Sequence, residues 1–512
     1  MEPHDDAVEH AVVSEAIIQK GLLIGGKEIE AADGAQLEII NPATGAIIAR
    51  VAAAGEADID AAVSVARDAF ESGVWSRLPI WERAKVMNRF ADTIDSHIED
   101  LFRLETLNNG RPIAETRAQV ARLSGWYRYN AALLLADRNA SIPMPGNYHV
   151  YTSRFPIGVV GILSSFNHPL MIGSKSLAPA LATGNSVLLK PSELTPLTSL
   201  ALGDLAHLAG IPPGVLNVVP GLGPLAGKRI AGHHDIGKVT FTGGSAAGRQ
   251  VATAAAGHFA KVTVELGGKT PVVVFDDIDI ETAARGAAFG AFIAAGQTCI
   301  CGSRLLVHRS VYEEFVARLV EIAQSIRIGD PADPDTQLGP VISEKARQRV
   351  LSYVSIAEGE GAVLATGGGI PAGARLDQGY FIEPTVLRDV NNDMRCAREE
   401  IFGPVTVVIP FEDEEDAVRL ANDSPFGLGS AIWTGQVGRA YRVAERLTHG
   451  IVWVNDHHRL DPAVPWGGVR DSGSGREGGW ESFHDFTHVR SVTIRTDSSP
   501  VDWYGGDTGR LN

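Results

Sequence analysis

Two cysteines separated by a single residue, Cys299 and Cys301 in "GQTCICGSR", stand in a chain that has only three. A thiolate is a soft nucleophile suited to an uncharged carbonyl carbon, and the thioester it can form is easily hydrolysed. A lone cysteine is more often a small apolar filler, so the choice depends on its neighbours. The second candidate is "FTGGSAAGR", in which a strand ends at Thr242 and Gly243, Gly244 and Ser245 open a small-residue helix running through Gly248. Bare N–H groups at a helix start attract a pyrophosphate by geometry and dipole. An ordinary glycine-rich turn is the competing reading. The dinucleotide fingerprint G-x-G-x-x-G is absent, and "GLGPLAG" at Gly221 to Gly227 has one residue too many.

These groups must be placed by the elements around them. "TAARGAAFGAFIAAGQTC" reads as a small-residue helix ending near Gly296, so Cys299 sits where the chain leaves it, close to any cleft above a second sheet. Upstream, Ile59, Val63, Ala66 and Phe70 predict an amphipathic helix over 58–71, and one longer helical pattern runs from about Ile80 to Leu107, stopped by "NNGRP". Short β-branched runs follow at 157–165, 184–192, 215–221, 237–244 and 261–268, with helical stretches between them. That alternation implies βαβ units and a parallel sheet whose ligand site lies at the strand C-termini. After Gly268 "TPVVVFDD", "GSRLLVHRS", "GAVLATGGG" and "PVTVVIPFED" begin a second alternation, so two α/β domains are expected.

Composition agrees. A chain of 512 residues is too long for one core, and 45% apolar residues are enough to bury two or three. A formal charge of -16 argues against nucleic acid or an anionic membrane as partner, because phosphates are bound by clustered Lys and Arg. No apolar stretch is long enough to span a membrane, and the acidic N-terminus lacks the features of a secretory leader. Three cysteines build no disulfide framework, which fits a reducing, cytoplasmic setting.

At this point the chain resembles the aldehyde dehydrogenase superfamily over nearly its whole length. The segments that carry the resemblance are "LETLNNGRP", "FNHPL", "LLKPSELTP", "FTGGSAAGR", "VELGGKTP", "GQTCICGSR", "EEIFGPV", "SPFGLG" and "PWGGVRDSGSGREGG", in family order. The resemblance implies an α/β fold with a Rossmann-type parallel-sheet cofactor domain, a second α/β catalytic domain and a small β oligomerisation arm. It implies Cys299 as nucleophile and leaves Cys301 a bystander. Asn167 matches the side-chain donor to the oxyanion, the backbone N–H of Cys299 being the other donor, and Glu265 matches the base that activates water against the thioester. For the cofactor NAD, Lys190 and Glu193 resemble the adenosine-ribose contacts, Gly243 and Gly244 lie under the pyrophosphate, and Glu400 and Phe402 match the nicotinamide-ribose ligand and a ring contact. The Glu193 carboxylate would repel a 2′-phosphate, favouring NAD over NADP. No metal is called for.

The domains implied are an N-terminal tail (1–20), an NAD-binding domain (21–136 and 155–268), a catalytic domain (269–483), an oligomerisation arm (137–154 and 484–496) and a C-terminal tail (497–512). The expected partners are a small-molecule aldehyde and further copies of the chain, as a homodimer or homotetramer. Two departures from the family pattern stand out, Phe166 where Trp is usual and Gly244 where Ser is usual. The loop "NDHHRLDP" (455–462) occupies the place of the substrate entrance, where His457, His458 and Arg459 could attract a polar or anionic tail, as in a semialdehyde or a hydroxylated aromatic aldehyde. Alternatively Arg459 pairs with Asp456 or Asp461 on the surface. A CoA-acylating enzyme would lack Glu265. A non-catalytic structural protein on the same scaffold would be expected to have lost at least one of Cys299, Glu265 and Asn167, and none is missing.

Overall fold

The structure, a computed structural model, describes residues 17–373, 376–498, 502 and 504–506. Most of the two tails expected at the ends therefore lies outside the described residues. Of the N-terminal one, Ile18–Lys20 forms a strand that pairs in parallel with Ile47–Ala52.

An eight-stranded sheet organises the first half. Its five central strands lie side by side in the order Lys261–Glu265, Ile236–Thr242, Val159–Leu163, Ser186–Lys190 and Leu216–Val218, all parallel. Val159–Leu163 and Ser186–Lys190 are buried at every residue, which explains why they read as unbroken apolar runs rather than alternating ones. Chain order reverses between Val159–Leu163 and Ile236–Thr242. At such a switch point the loops diverge to opposite faces and leave a crevice at the strand carboxyl ends, here supplied by Ser164–Asn167 and Thr242–Gly244.

The second sheet has seven strands in the order Val363–Thr366, Thr385–Arg388, Val405–Phe411, Arg304–His308, Pro271–Val274, Gly429–Trp433 and Ile451–Val454, parallel except for the first. The chain passes from Glu265, the last residue of the first sheet's outer parallel strand, to Pro271 at the start of a strand in the second. A link this short makes the carboxyl edge of one sheet face the amino edge of the other. Cys299 precedes Arg304–His308 and Glu400 precedes Val405–Phe411, so both approach the crevice from the amino edge of the second sheet, not from above its strand C-termini.

A third, antiparallel sheet joins Ser141–Ile142, Tyr148–Pro156 and Thr487–Arg495, with unbroken register from Thr487↔Pro156 to Arg495↔Tyr148. It leaves Val489 and Ile494 exposed. Among the described residues no helix is long and apolar enough to cross a membrane.

Two helix expectations need correction. The pattern from Ile80 to Leu107 is two helices, Ile80–Ser96 and Ile98–Asn109, broken at His97 (φ -119°), whose ring Nδ1 lies 2.8 Å from the Thr93 carbonyl. A side chain bonded to its own preceding turn competes with continuation of the helix. The helix before Cys299 ends at Phe292 rather than near Gly296, for a reason given below. The amphipathic helix expected over 58–71 covers Glu56–Ser72, its start held by Gly55 N–H donating to Asp58 Oδ2 (2.9 Å) and its end by left-handed Gly73.

Candidate active site

The crevice between the sheets is a cavity of about 310 Å³ lined by Phe166, Asn167, Gly243, Gly244, Glu265, Cys299, Glu400 and Phe402, among others. From the first sheet comes Asn167, buried in the loop after Val159–Leu163. Its Oδ1 accepts the Ser165 hydroxyl proton (2.7 Å) and its Nδ2 donates to the Gln297 carbonyl (2.8 Å). These partners settle which end of the amide is nitrogen, and they leave its second hydrogen available to an acceptor in the cleft. Phe166, where the family usually has Trp, packs edge-to-face on Phe402 with centroids 5.7 Å apart.

Glu265 ends its strand and is buried, and neither carboxyl oxygen has a hydrogen-bond partner among the described residues. Burial pushes its carboxyl well above the usual range, and Glu477 nearby pushes the same way, against the opposing pull of Lys175 and Arg476. A buried carboxyl with no donor holds its proton more tightly and is available as an acid or base.

From the second sheet comes the nucleophile candidate. After Phe292 the chain turns through Ala294 (φ 54°), Ala295 (φ 52°) and Gly296 (φ 68°), three successive left-handed residues. Glycine takes this conformation freely and alanine does not, so the turn must be held by contacts. A side chain on Gly296 would strike the Gly403 carbonyl at 2.0 Å, so only glycine fits between the two loops. Cys299 follows, half-buried at the cleft wall, and its backbone N–H has no acceptor among the described residues.

Burial, with added repulsion from Glu265, Glu400 and Glu477, pushes the Cys299 thiol up to about 12, against the pull of Lys175. The thiol is therefore protonated in this state. Cys301 is likewise pushed to about 12 by burial, so acidity does not separate the two. Position does, since Cys301 is buried away from the cavity and donates to the Ala291 carbonyl (3.3 Å).

Of the residues expected around a dinucleotide, Gly243, Gly244, Glu400 and Phe402 line the same crevice, whereas Lys190 and Glu193 are not among its lining. Gly244 precedes helix Ser245–Ala256, a side chain there would meet nothing within 4 Å, and the N–H groups of Ser245 to Ala247 have no acceptor among the described residues. Gly243 donates to the Glu265 carbonyl (3.1 Å). Lys190 is buried, with Nζ 2.8 Å from the Pro191 carbonyl and 3.8 Å from the part-exposed Glu193 carboxylate. Glu400 accepts the Gly268 N–H (3.0 Å), and burial raises its carboxyl to about 7. Phe402 has φ 60°, a sparsely populated conformation for a bulky residue. Open N–H donors on one wall and a lone carboxylate on the other suit a pyrophosphate and a ribose.

The loop at 455–462 is only partly as expected. Arg459 is 69% exposed and pairs with Asp456 (2.9 Å), so it does not converge on the cleft. The surface pairing was the alternative reading. His457 is buried and His458 partly so, with their Nδ1 atoms 2.6 Å apart, but neither is among the residues lining the cavity. His457 stacks on Trp453 and His458 meets the edge of Phe289. Burial holds His457 at about 4 and His458 well below the ordinary imidazole range, so both are neutral.

Sequence reasoning missed Lys175 and Glu477, which form a buried ion pair beside Glu265, with Lys175 Nζ 4.6 Å above the Trp466 ring. They are far apart in the chain, and although Glu477 lies in the quoted "PWGGVRDSGSGREGG", nothing local announces its pairing with Lys175. It also missed Arg111, Glu115 and Gln119, although Arg111 lies in the quoted "NNGRP".

Three comparisons bear on what this cleft is. Residues 29–492 match the model of the aldehyde dehydrogenase family. Betaine aldehyde dehydrogenase 1 of Oryza sativa subsp. japonica is 41% identical over 496 residues, 96% of this chain and 98% of the relative, and betaine aldehyde dehydrogenase of Bacillus subtilis is 40% identical over 94% of this chain and 99% of its own. The crystal structure of Staphylococcus aureus betaine aldehyde dehydrogenase in complex with NAD+ superposes with a TM-score of 0.93 at 38% identity, covering 95% of this chain and 97% of that one. PnpE from Pseudomonas sp. WBC-3 gives 0.93 at 40%, covering 95% and 100%.

Proposed function

The chain belongs to the aldehyde dehydrogenase family, and from that premise we propose that it oxidises an aldehyde to the carboxylic acid with NAD+, through a thioester on Cys299. The observation that supports this most is the convergence of Cys299, Asn167 and Glu265 on one cleft from three separate segments. Sulfur attacks the aldehyde carbon, and the oxygen that becomes an alkoxide is met by the free hydrogen of Asn167 Nδ2 and the Cys299 N–H. A thiol raised to about 12 must give up its proton as it attacks, and the deprotonated form of Glu265, which lines the same cavity, can take it. Gly243, Gly244, Lys190, Glu193, Glu400 and Phe402 would hold NAD+, which when bound would supply the acceptor for the hydride that leaves that carbon. The Lys175–Glu477 pair beside Glu265 offers the thiol's proton a way out, after which the freed carboxylate takes a proton from the water that cleaves the thioester.

The substrate reading shifts with the loop. With Arg459 tied to Asp456, an acid-bearing semialdehyde has no cation at this loop to meet it. Two neutral imidazoles joined through their Nδ1 atoms leave one Nε2 as donor and the other as acceptor, beside the ring of Phe289. A hydroxylated aromatic aldehyde suits those groups. NADH formation across a panel of aldehydes tests both claims. Activity on a hydroxybenzaldehyde above that on benzaldehyde and on an acid-bearing semialdehyde is expected, and no activity with any aldehyde would sink the assignment. The exposed Val489 and Ile494 on the antiparallel arm support self-association as a homodimer or homotetramer, which light scattering checks. The three free thiols fit the cytoplasm.

A further inference from the structure

Residues 105–119 reach both walls of the cleft although none of their side chains lines it. Toward the oxyanion side, Glu105 accepts the Leu170 N–H (3.2 Å) and Asn109 Nδ2 donates to the Asn167 carbonyl (3.3 Å). Gln119 Oε1 lies 3.2 Å from His168 Nδ1. Toward the nucleophile, both oxygens of Glu115 accept the N–H of Ala294 at 3.2 Å, across 179 residues of chain. Arg111 stands between, with Nη1 donating to Gln119 (2.9 Å) and Glu105 (3.4 Å) and Nε to Glu115 (3.3 Å). Arg111 and Glu105 are buried, where a charge persists only if it is paired.

Ala294 is the first of the left-handed residues from which the Cys299 loop departs. Among the described residues that carboxylate is the side chain that holds its N–H, while its carbonyl accepts a longer bond from Gln297 Nε2 (3.4 Å), and the loss of the N–H bond would let the chain relax toward the conformation alanine prefers. We infer that Glu115, held by Arg111, is a positioning residue for the oxidation: it fixes the left-handed turn before Cys299 and, through Arg111 and Gln119, locks that turn to the Asn167–His168 segment. Nucleophile and oxyanion donor thus keep one separation although they belong to different sheets. The inference rests on Cys299 being the nucleophile.

The test compares Glu115→Ala, Glu115→Gln and Glu115→Ala/Ala294→Gly by the rate of the NADH burst, the rate of Cys299 alkylation by iodoacetamide, and NAD+ affinity. Glu115→Ala should slow the burst by about tenfold to a hundredfold with NAD+ affinity unchanged, since a misplacement of about 1 Å can cost this much. Glu115→Gln keeps an oxygen for the Ala294 N–H and should stay within about threefold of wild type. Glycine at 294 takes the left-handed conformation without strain, so the double variant should regain part of the loss. A wild-type burst in folded Glu115→Ala overturns the inference, as does a parallel fall of burst and NAD+ affinity without rescue by Gln or by glycine. Should Glu115→Ala fail to fold, Gln119→Ala leaves the ion pairs intact and should still slow the burst severalfold, and an unchanged burst there overturns the inference as well. Cys299→Ala serves as the control. A burst that survives in it condemns the reading of the nucleophile, whereas a burst lost there but normal in Glu115→Ala condemns the inference alone.

Discussion

The two walls of the cleft hold their groups differently. On the carboxyl edge of the first sheet, Asn167 lies in the loop just after its strand and is fixed by bonds to Ser165, Asn109 and Gln297. On the amino edge of the second, Cys299 hangs from a left-handed turn whose first N–H is held by Glu115, from the other end of the first half of the chain. The first wall follows from topology, because a switch point opens a crevice wherever it occurs. The second depends on a few long-range contacts that overrule local preference. Glu265 belongs to the first wall by position, yet its carboxyl oxygens have no hydrogen-bond partner among the described residues, which costs stability.

The largest expected effect tests whether chemistry resides on the second wall at all. Cys299→Ala should abolish NADH formation while Cys301→Ala keeps it within about twofold and costs about 1 kcal/mol of stability with its bond to Ala291. Near-normal turnover by Cys299→Ala would remove the nucleophile from the comparison. Next comes Glu265→Gln, expected to lower steady-state turnover by about 10² to 10⁴-fold while leaving one slowed burst of NADH per active site. In the wild type, turnover should rise with pH above the usual carboxylate range, since only the deprotonated form of this raised acid is a base. A flat profile would count against Glu265.

Asn167→Ala should lower kcat by about 2.7–4 kcal/mol in barrier, as does the loss of other oxyanion donors. An effect confined to KM would show that Asn167 only binds substrate. Smaller still is the change in cofactor choice with Glu193→Gln, a severalfold narrowing of the preference for NAD over NADP as the carboxylate ceases to repel a 2′-phosphate. An unchanged ratio would move that selectivity elsewhere.

The smallest effect is on stability. Glu400 is raised to about 7 from 4.5, so the folded state binds its proton more tightly than the unfolded state does. Stability conferred by that proton is present below pH 4.5 and is lost as pH rises through 7. Glu400→Gln, which keeps an oxygen for the Gly268 N–H, should therefore raise Tm at pH 8 relative to its effect at pH 5. The opposite sign would mean that the carboxylate is better solvated than its burial implies.

The same contrast separates what was legible in the sequence from what was not. Both sheets, the phosphate turn and the residues on the first wall follow from β-branched runs ending in glycine and from the quoted motifs. The break at His97 was hidden because no glycine or proline marks it. The end of the helix at Phe292 was hidden more deeply, since alanine is the best helix former and "IAAG" carries no stop before Gly296. Glu115 decides that turn, and nothing in the spacing of Glu115 and Ala294 announces their contact. Arg459 was drawn into the site by charge alone, and Asp456, three residues before it, keeps it outside.

The contact of Gly296 with Gly403 has a consequence for how such an enzyme can diversify. Backbone meets backbone there, so neither position offers a single-step route to a different active site. The imidazole pair and Phe289, by contrast, lie on segments that take no part in that contact. If the proposed substrate reading holds, variation in substrate range can accumulate there by ordinary point mutation while the loops that meet at Gly296 and Gly403 stay in register, and a library aimed at new aldehydes is best built at Phe289, His457 and His458, leaving 294–299 and 400–403 untouched.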